Sequence, residues 1–277
     1  MKSVRLLILF LAVWALPGRA GTLAQFRTVL GDIEVELYDQ DKPITVQNFI
    51  RYVQNGHYRD MFIHRCDPAF VIQGGGFFVT NRFATNQIIA AIPTYGQITN
   101  EFGVGRRFSN TYGTIAMAKV AGDTNSASSQ WFFNLKDNAF LDAPDANNLF
   151  TVFGRVVAGT NVLDAFKTFK YVGPTNVIVN FGSPLNELPV LTTNLTYNDL
   201  IYIDVSLLNV QVRSDGVGGR EVLWNSVSNR LHHVEFTTNL PPSWQLLLST
   251  NGTGSTLRIT DANPVNAARF YRVRVDY

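Results

Sequence analysis

The sequence predicts a mainly β protein with two short helices and a small all-β module at its C-terminal end. Three observations carry that prediction. Short runs alternate apolar and polar residues, as Ile33, Val35 and Leu37 do against Glu34 and Glu36. Only 43–55 and 161–168 read as helices. Gly, Asn and Pro punctuate the remainder at short intervals. The 277 residues make one or two domains, each long enough for a sizeable core. With 46% apolar and 16% charged residues the chain is neither disordered nor a coiled coil. A balance of 23 basic against 21 acidic residues, net +2, implies no large basic surface for nucleic acid. The single cysteine, Cys66, excludes an internal disulfide framework and a multi-Cys zinc site.

The first twenty residues have the layout of a secretory signal peptide. Lys2 and Arg5 precede the unbroken apolar run Leu6 to Leu16, which Pro17 and Gly18 end. That run falls well short of the roughly 20 apolar residues of a membrane-spanning helix. Gly18-Arg19-Ala20 places small residues where cleavage after Ala20 needs them, so the mature protein is expected to be exported, periplasmic or extracellular, with no membrane span. Losing Lys2, Arg5 and Arg19 takes the formal charge of the remainder to −1.

Phe26–Leu30 and Ile33–Leu37 flank Gly31-Asp32 and read as a hairpin with one buried face. Val46, Phe49, Ile50 and Val53 sit at i, i+3, i+4 and i+7, which makes 43–55 an amphipathic helix, with Pro43 in its first turn and Gly56 at its exit. The segments 62–64, 70–73, 114–118, 130–134 and 150–156 read as strands of a closed sheet. A second helix follows at 161–168, with Thr160 as its N-cap, and a further strand at 201–208. The polar, glycine-rich stretch 213–220 is a seam, either a linker or a long turn. Beyond it 221–225, 231–237, 244–248, 256–260 and 269–276 are strand-like, which divides the chain into a leader (1–20), a first domain (21–210) and a small β-rich module (211–277). A module of that size without a disulfide is marginal alone and is expected to lean on the first domain or a partner.

The chemistry-bearing stretches are FIHRCDPAFVIQGG at 62–75, YGTIAMAKVAGDTNSASSQWFFN at 112–134 and FLDAPDANNLFTVFG at 140–154. No Ser-His-Asp arrangement, GxSxG, HExxH, GxGxxG or phosphate loop is present, so the chemistry needs neither a nucleophile nor a metal, and no cofactor is implied. His232 and His233 are neighbours on a strand, face opposite ways and make a poor metal pair. Cys66 reads as a quiet, partly buried thiol. Asn194-Leu195-Thr196 and Asn251-Gly252-Thr253 match the glycosylation sequon, which matters only in a eukaryotic secretory route.

In this order and at this spacing the three stretches resemble the cyclophilin family of peptidyl-prolyl cis-trans isomerases, with SASSQWFFN and VFGRVVAG most similar to bacterial members. The resemblance runs from about Gln25 to Asn209. It implies an eight-stranded antiparallel β-barrel capped by two α-helices, with a substrate groove on the outside of the barrel. Residue by residue, it places Arg65 on the family's catalytic arginine, and Phe70 and Gln73 on the groove phenylalanine and glutamine. Gln130 falls on the second glutamine, Phe132 on the proline-pocket phenylalanine, Leu141 on the pocket leucine, and Ala118 on the backbone-contact alanine. Gln73 is expected to orient Arg65 or the substrate carbonyl. Val71 stands for the usual methionine and Phe150 for the usual histidine. Phe140 stands for the tryptophan that contacts cyclosporin A, which implies reduced affinity for that ligand. The 119–128 loop is longer than in animal members.

The implied function is acceleration of X–Pro isomerisation in proline-containing peptides or unfolded exported proteins. The competing expectation, from a different class, is a catalytically silent scaffold attached to a surface or envelope partner through 211–277. Retention of Arg65, Gln73 and Gln130 together favours the enzyme.

Overall fold

The first hairpin turns two residues earlier than its glycine suggests. β1 (Leu23–Thr28) and β2 (Gly31–Leu37) pair antiparallel with Thr28 opposite Gly31, so Val29-Leu30 forms the turn. The Leu30 N–H donates to Thr28 Oγ1 at 3.0 Å, a side-chain contact that steadies this turn. The computed structural model describes residues 22–276 except 121, 145–147, 209, 227–230, 240–241, 254 and 263–267. The expected leader and its cleavage point lie outside the described residues. Among the described residues no helix is long and apolar enough to cross a membrane.

Helix α1 (Pro43–Gln54) forms where its spacing predicts, but its buried face is Thr45, Val46, Phe49 and Tyr52. Ile50 and Val53 pack at the edge of the core instead. Tyr52 rotates the stripe because its ring stacks on Tyr58 at 5.3 Å and its hydroxyl accepts the Tyr95 N–H at 2.9 Å. Lys42, at the N-cap, makes no capping bond of its own. Glu101 supplies the missing acceptors, taking the Ile44 N–H at 3.1 Å and the Thr45 N–H at 2.7 Å.

The next strands are β3 (Met61–Phe62), β4 (Arg65–Cys66), β5 (Val71–Gly74), β6 (Phe77–Thr80), β7 (Ile88–Ala91), β8 (Thr114–Met117), β9 (Trp131–Asn134) and β10 (Val152–Ala158). After helix α2 (Thr160–Phe166) come β11 (Thr175–Val179), β12 (Leu188–Thr192) and β13 (Tyr202–Leu208). One antiparallel sheet runs β4-β5-β9-β8-β10-β2-β1-β13-β3-β6-β7. It curls on itself because two strands are broken in the middle. β3 pairs with β13 while β4, three residues on, pairs with β5; β6 in turn pairs with β3. Counting β3–β4 and β5–β6 as one broken strand each gives the eight-stranded antiparallel barrel that the resemblance implies, with β7 added at one edge.

Inside lie Phe26, Phe49, Tyr58, Trp131, Phe133 and Phe153, in tilted and edge-to-face contacts between 5.1 and 6.5 Å. α2 starts at Thr160, and the N-cap position belongs to Gly159, not to Thr160. Gly159 takes φ +85°, and a Cβ there would stand 2.1 Å from the Asp32 carbonyl oxygen, so only glycine fits this approach to β2. The hairpin β11–β12 is an element the sequence reading passed over. It packs Val177, Leu188 and Val190 onto Phe62, Val79 and Tyr202 on the outside of the barrel.

The rest forms two three-stranded antiparallel sheets. β14 (Val210–Ser214), β15 (Arg220–Asn225) and β18 (Thr256–Asp261) make one; β16 (Leu231–Thr237), β17 (Gln245–Asn251) and β19 (Phe270–Asp276) make the other. Val222, Trp224, Val234 and Val273 are buried together, with Leu248, Leu257 and Ile259 packed on them. The seam is a hairpin turn and not a linker: Ser214 pairs with Arg220, and Asp215 Oδ1 accepts the Gly219 N–H at 2.7 Å. His232 is fully buried and its neighbour His233 is not, as the strand alternation predicts. Trp224 is the largest side chain of this core. Trp224→Ala is expected to cost ~3–5 kcal/mol. Amide exchange should then accelerate across 210–276 and stay slow in β1, β2 and β8–β10; uniform acceleration across both regions would show a single cooperative unit instead.

Candidate active groove

The outward faces of five neighbouring strands bring one transverse row of residues together. Arg65 on β4 lies opposite Gln73 on β5, Gln73 opposite Phe132 on β9, Phe132 opposite Ala116 on β8, and Ala116 opposite Val152 on β10. Strand alternation assigns the aromatic residues of β9: Trp131 and Phe133 enter the core, and Phe132 points outward. Over this row sits a pocket of about 140 Å³ lined by Arg65, Phe70, Val71, Gln73, Ala118, Lys119, Phe132, Leu141 and Phe150. Eight of these nine are residues the sequence singles out; Lys119 is the addition. Its Nζ lies 4.4 Å from the Phe150 ring centroid, and burial lowers its pKa against the opposing pull of Asp123.

Two predicted residues stand just off the pocket. Gln130 is behind it: its Oε1 accepts from Gln73 Nε2 at 2.7 Å. Phe140 stands at the rim, 56% exposed, its ring stacked on Phe70 at 5.6 Å. Phe132 and Phe150 meet edge to face at 5.7 Å and form the apolar floor with Val71 and Leu141.

The wall carrying Phe70, Leu141 and Phe150 is loop, and buried asparagines hold it. Asn138 donates to the Phe70 carbonyl at 3.1 Å and to Asn134 Oδ1 at 2.8 Å. Asn134 donates in turn to Asn110 Oδ1 at 3.1 Å. Asn110 donates to the Phe150 carbonyl at 3.1 Å and to Asp142 at 2.7 Å, in the short turn Ala139–Asp142 that contains Leu141. The sequence reading gives these three asparagines no role of their own, Asn134 being only the last residue of the strand at 130–134; their burial is the signal that reveals them.

Arg65 is held by a residue the sequence did not point to. Its Nε donates to Glu187 Oε2 at 2.6 Å, and its Cζ lies 5.8 Å from the Phe70 ring centroid. Gln73, the expected partner of Arg65, is its cross-strand neighbour, but its amide is turned to Gln130. Next to Arg65 on the chain, Cys66 is buried with its Sγ toward the Phe166 carbonyl, and burial pushes the thiol well above its usual range. The sequence suggests a quiet, partly buried thiol; in the structure Cys66 is fully buried.

His64 lies beneath the row. Burial lowers its pKa to about 4, its bond to Gln130 opposing and the Arg65 charge assisting the shift. An unfolded chain takes up that proton near pH 6.5. Between these values the unfolded state binds more protons, so His64 makes the fold lose stability as pH falls from about 6.5 to about 4, by roughly 3 kcal/mol in all. His64→Gln is expected to flatten that stretch. Urea unfolding of both proteins at pH 7, 5.5 and 4.5 tests this, and equal pH slopes for the two would refute it.

Residues 23–182 match the family described as cyclophilin type peptidyl-prolyl cis-trans isomerase/CLD. A peptidyl-prolyl cis-trans isomerase of Acinetobacter baylyi is 42% identical over 145 residues, 52% of this chain and 71% of its own. Peptidyl-prolyl cis-trans isomerase A of Dickeya dadantii is 41% identical over 138 residues, 50% of this chain and 66% of its own. A crystal structure of a cyclophilin type isomerase from Cryptosporidium parvum aligns with a TM-score of 0.45 at 20% identity, covering 67% of this chain and 96% of that one. The family match ends before Glu187, β12 and β13.

Proposed function

The chain belongs to the cyclophilin-type peptidyl-prolyl cis-trans isomerase family, and from that premise we propose that the pocket beside Arg65 accelerates X–Pro rotation in exported proteins. The observation that carries this reading is the register row: it sets the Arg65 guanidinium and the Phe132 ring across one 140 Å³ pocket.

Rotation about a peptide C–N bond meets a barrier of ~18–20 kcal/mol because the nitrogen lone pair is shared with the carbonyl. A catalyst has to bind the twisted amide better than either planar isomer. Phe132, Leu141, Val71 and Phe150 would take the pyrrolidine ring, an apolar group that fits an apolar floor. Twisting localises the lone pair on the proline nitrogen and makes it an acceptor. Arg65, whose Nε is engaged by Glu187, would donate to that nitrogen from an Nη group. A guanidinium keeps its proton, so this is stabilisation by a fixed charged donor and not proton transfer. Gln73 and Gln130, bonded to each other, would anchor the flanking substrate backbone. An acceleration of ~10⁵ corresponds to about 7 kcal/mol of differential binding. Export is supported by the leader-like composition of residues 1–20.

Exchange spectroscopy on an Ala-X-Pro-Phe peptide tests the assignment. Arg65→Ala is expected to lower catalysed exchange ~100-fold or more, and Arg65→Lys to restore little, because an ammonium lacks the planar fork. A folded wild-type chain that leaves exchange at the uncatalysed rate would overturn the enzyme reading and leave a binding scaffold. Cyclosporin A supplies a second test. Phe140 offers ring area at the rim but no N–H donor, so weak binding is expected, and Phe140→Trp should tighten it at least several-fold by calorimetry; unchanged affinity would remove Phe140 from the ligand surface.

A further inference from the structure

We propose that Glu187 is a positioning residue for the isomerisation: it grips Arg65 by its Nε edge and leaves both Nη groups to the twisted amide. This rests on the role given to Arg65 above.

Two independent contacts tie Glu187 to the groove. Its carboxylate accepts the Arg65 Nε–H at 2.6 Å, and its carbonyl oxygen accepts the N–H of Cys66, the next residue of β4, at 2.8 Å. The carboxylate therefore sits on backbone bonded to the strand that carries the arginine. The chain beyond it has no slack. Leu188 and Val190 are buried against Phe62, Val79 and Tyr202, and β12 is in register with β11, Leu188 opposite Val179. A long arginine side chain otherwise samples many rotamers, and each must be abandoned when the donor meets its acceptor. An anchor on a packed hairpin restricts it before substrate arrives, so ordering is not added to the barrier.

The geometry also divides the guanidinium. It is planar, with donors on fixed edges. Using Nε–H for Glu187 aims the fork carrying both Nη groups away from the anchor. Gln73 cannot do this while its amide is bonded to Gln130. The pair is part-exposed, with side-chain exposures of 36% for Arg65 and 24% for Glu187. Mutual attraction between such charges is modest and screened, so direction, more than strength, is what Glu187 contributes. Glu187 itself lies beyond residues 23–182, the stretch that matches the family model.

The test uses the full chain with Glu187→Ala and Glu187→Gln, and reads kcat and KM separately by exchange spectroscopy over a range of peptide concentrations. Glu187→Ala is expected to lower kcat about ten-fold with KM nearly unchanged, since the pocket that binds the ring is intact. Glu187→Gln keeps an acceptor for Nε–H and is expected to hold kcat within about three-fold of wild type. In the same samples the Arg65 Nε–H resonance should be protected in wild type and Glu187→Gln, and lost in Glu187→Ala. If Glu187→Ala does not fold, Glu187→Asp, with its shorter arm, is expected to show the kcat loss. A folded Glu187→Ala or Glu187→Asp protein with wild-type kcat, with raised kcat, or with the loss confined to KM overturns the proposal while leaving the isomerase reading in place. A wild-type chain without activity overturns both.

Discussion

The groove depends on the register between β5 and β9, and that register depends on Trp131. Its indole fills the barrel beside Phe26 and Phe133. It also lies so close under β5 that a Cβ on Gly74 would come within 2.6 Å of the ring. Gly74 is paired with Trp131, and the next pair along is Gln73 with Phe132. A slip of one residue would drive Phe132 into the core and turn Trp131 out. Core packing therefore decides which phenylalanine meets substrate, although no core residue touches the groove row from the solvent side. Changes to Trp131 or Gly74 would reach the site through pairing and not through contact.

The opposite wall is built on a different principle. Loops carry Phe70, Leu141 and Phe150, and a loop cannot hold a ring in place by ladder bonds. Three fully buried asparagines take over that function, each bonded to backbone or to the next amide. A buried amide donor left without a partner costs more than a typical hydrogen bond returns, so the bonded Nδ2 groups of this network resist opening, although Asn138 Oδ1 is buried without a partner. The result is a pocket with one wall set by strand pairing and one by a polar network. Both walls are set by bonds within the fold itself, which suits a reaction whose catalyst must favour a shape between two planar states.

Much of this was legible in the sequence. Alternation gave β1 and β2, the helical spacing placed α1, and the C-terminal strands fell within a few residues of their runs. The stripe on α1 was read one step off because Tyr52, with its polar hydroxyl, did not count as apolar in the spacing. β14 was missed because one residue separates it from β13, and of the two readings of 213–220, linker or long turn, the second holds: it is the turn of a hairpin. β11 and β12 were missed because their runs are short and Pro189 sits inside one of them. That proline is tolerated because the two strands form a sheet of their own outside the barrel ladder, flanked by the single bridges Lys170–Val177 and Val190–Leu200. Of the ten residues carried over from the family resemblance, eight line the pocket, Phe140 stacks at its rim and Gln130 bonds to it through Gln73. None of that placement follows from composition or periodicity. Glu187 escaped because it lies 122 residues from Arg65 and belongs to no motif; only the fold brings them together.

A carboxylate beside a charged donor raises an electrostatic question. Glu187 offsets part of the positive charge that the twisted amide is meant to meet, which weakens Arg65 as a donor. In a dry interior that loss would be severe. At this pair's exposure the interaction is set by an effective dielectric nearer that of the surface, where charges a few ångströms apart exchange only modest energy. The hydrogen bond is short and directional, whereas the charge is spread over the whole guanidinium. Orientation is therefore gained at one edge while most of the charge remains at the other two. The arrangement works only where the pair is half exposed, and that is where the β11–β12 hairpin, packed on the outside of the barrel, delivers the carboxylate.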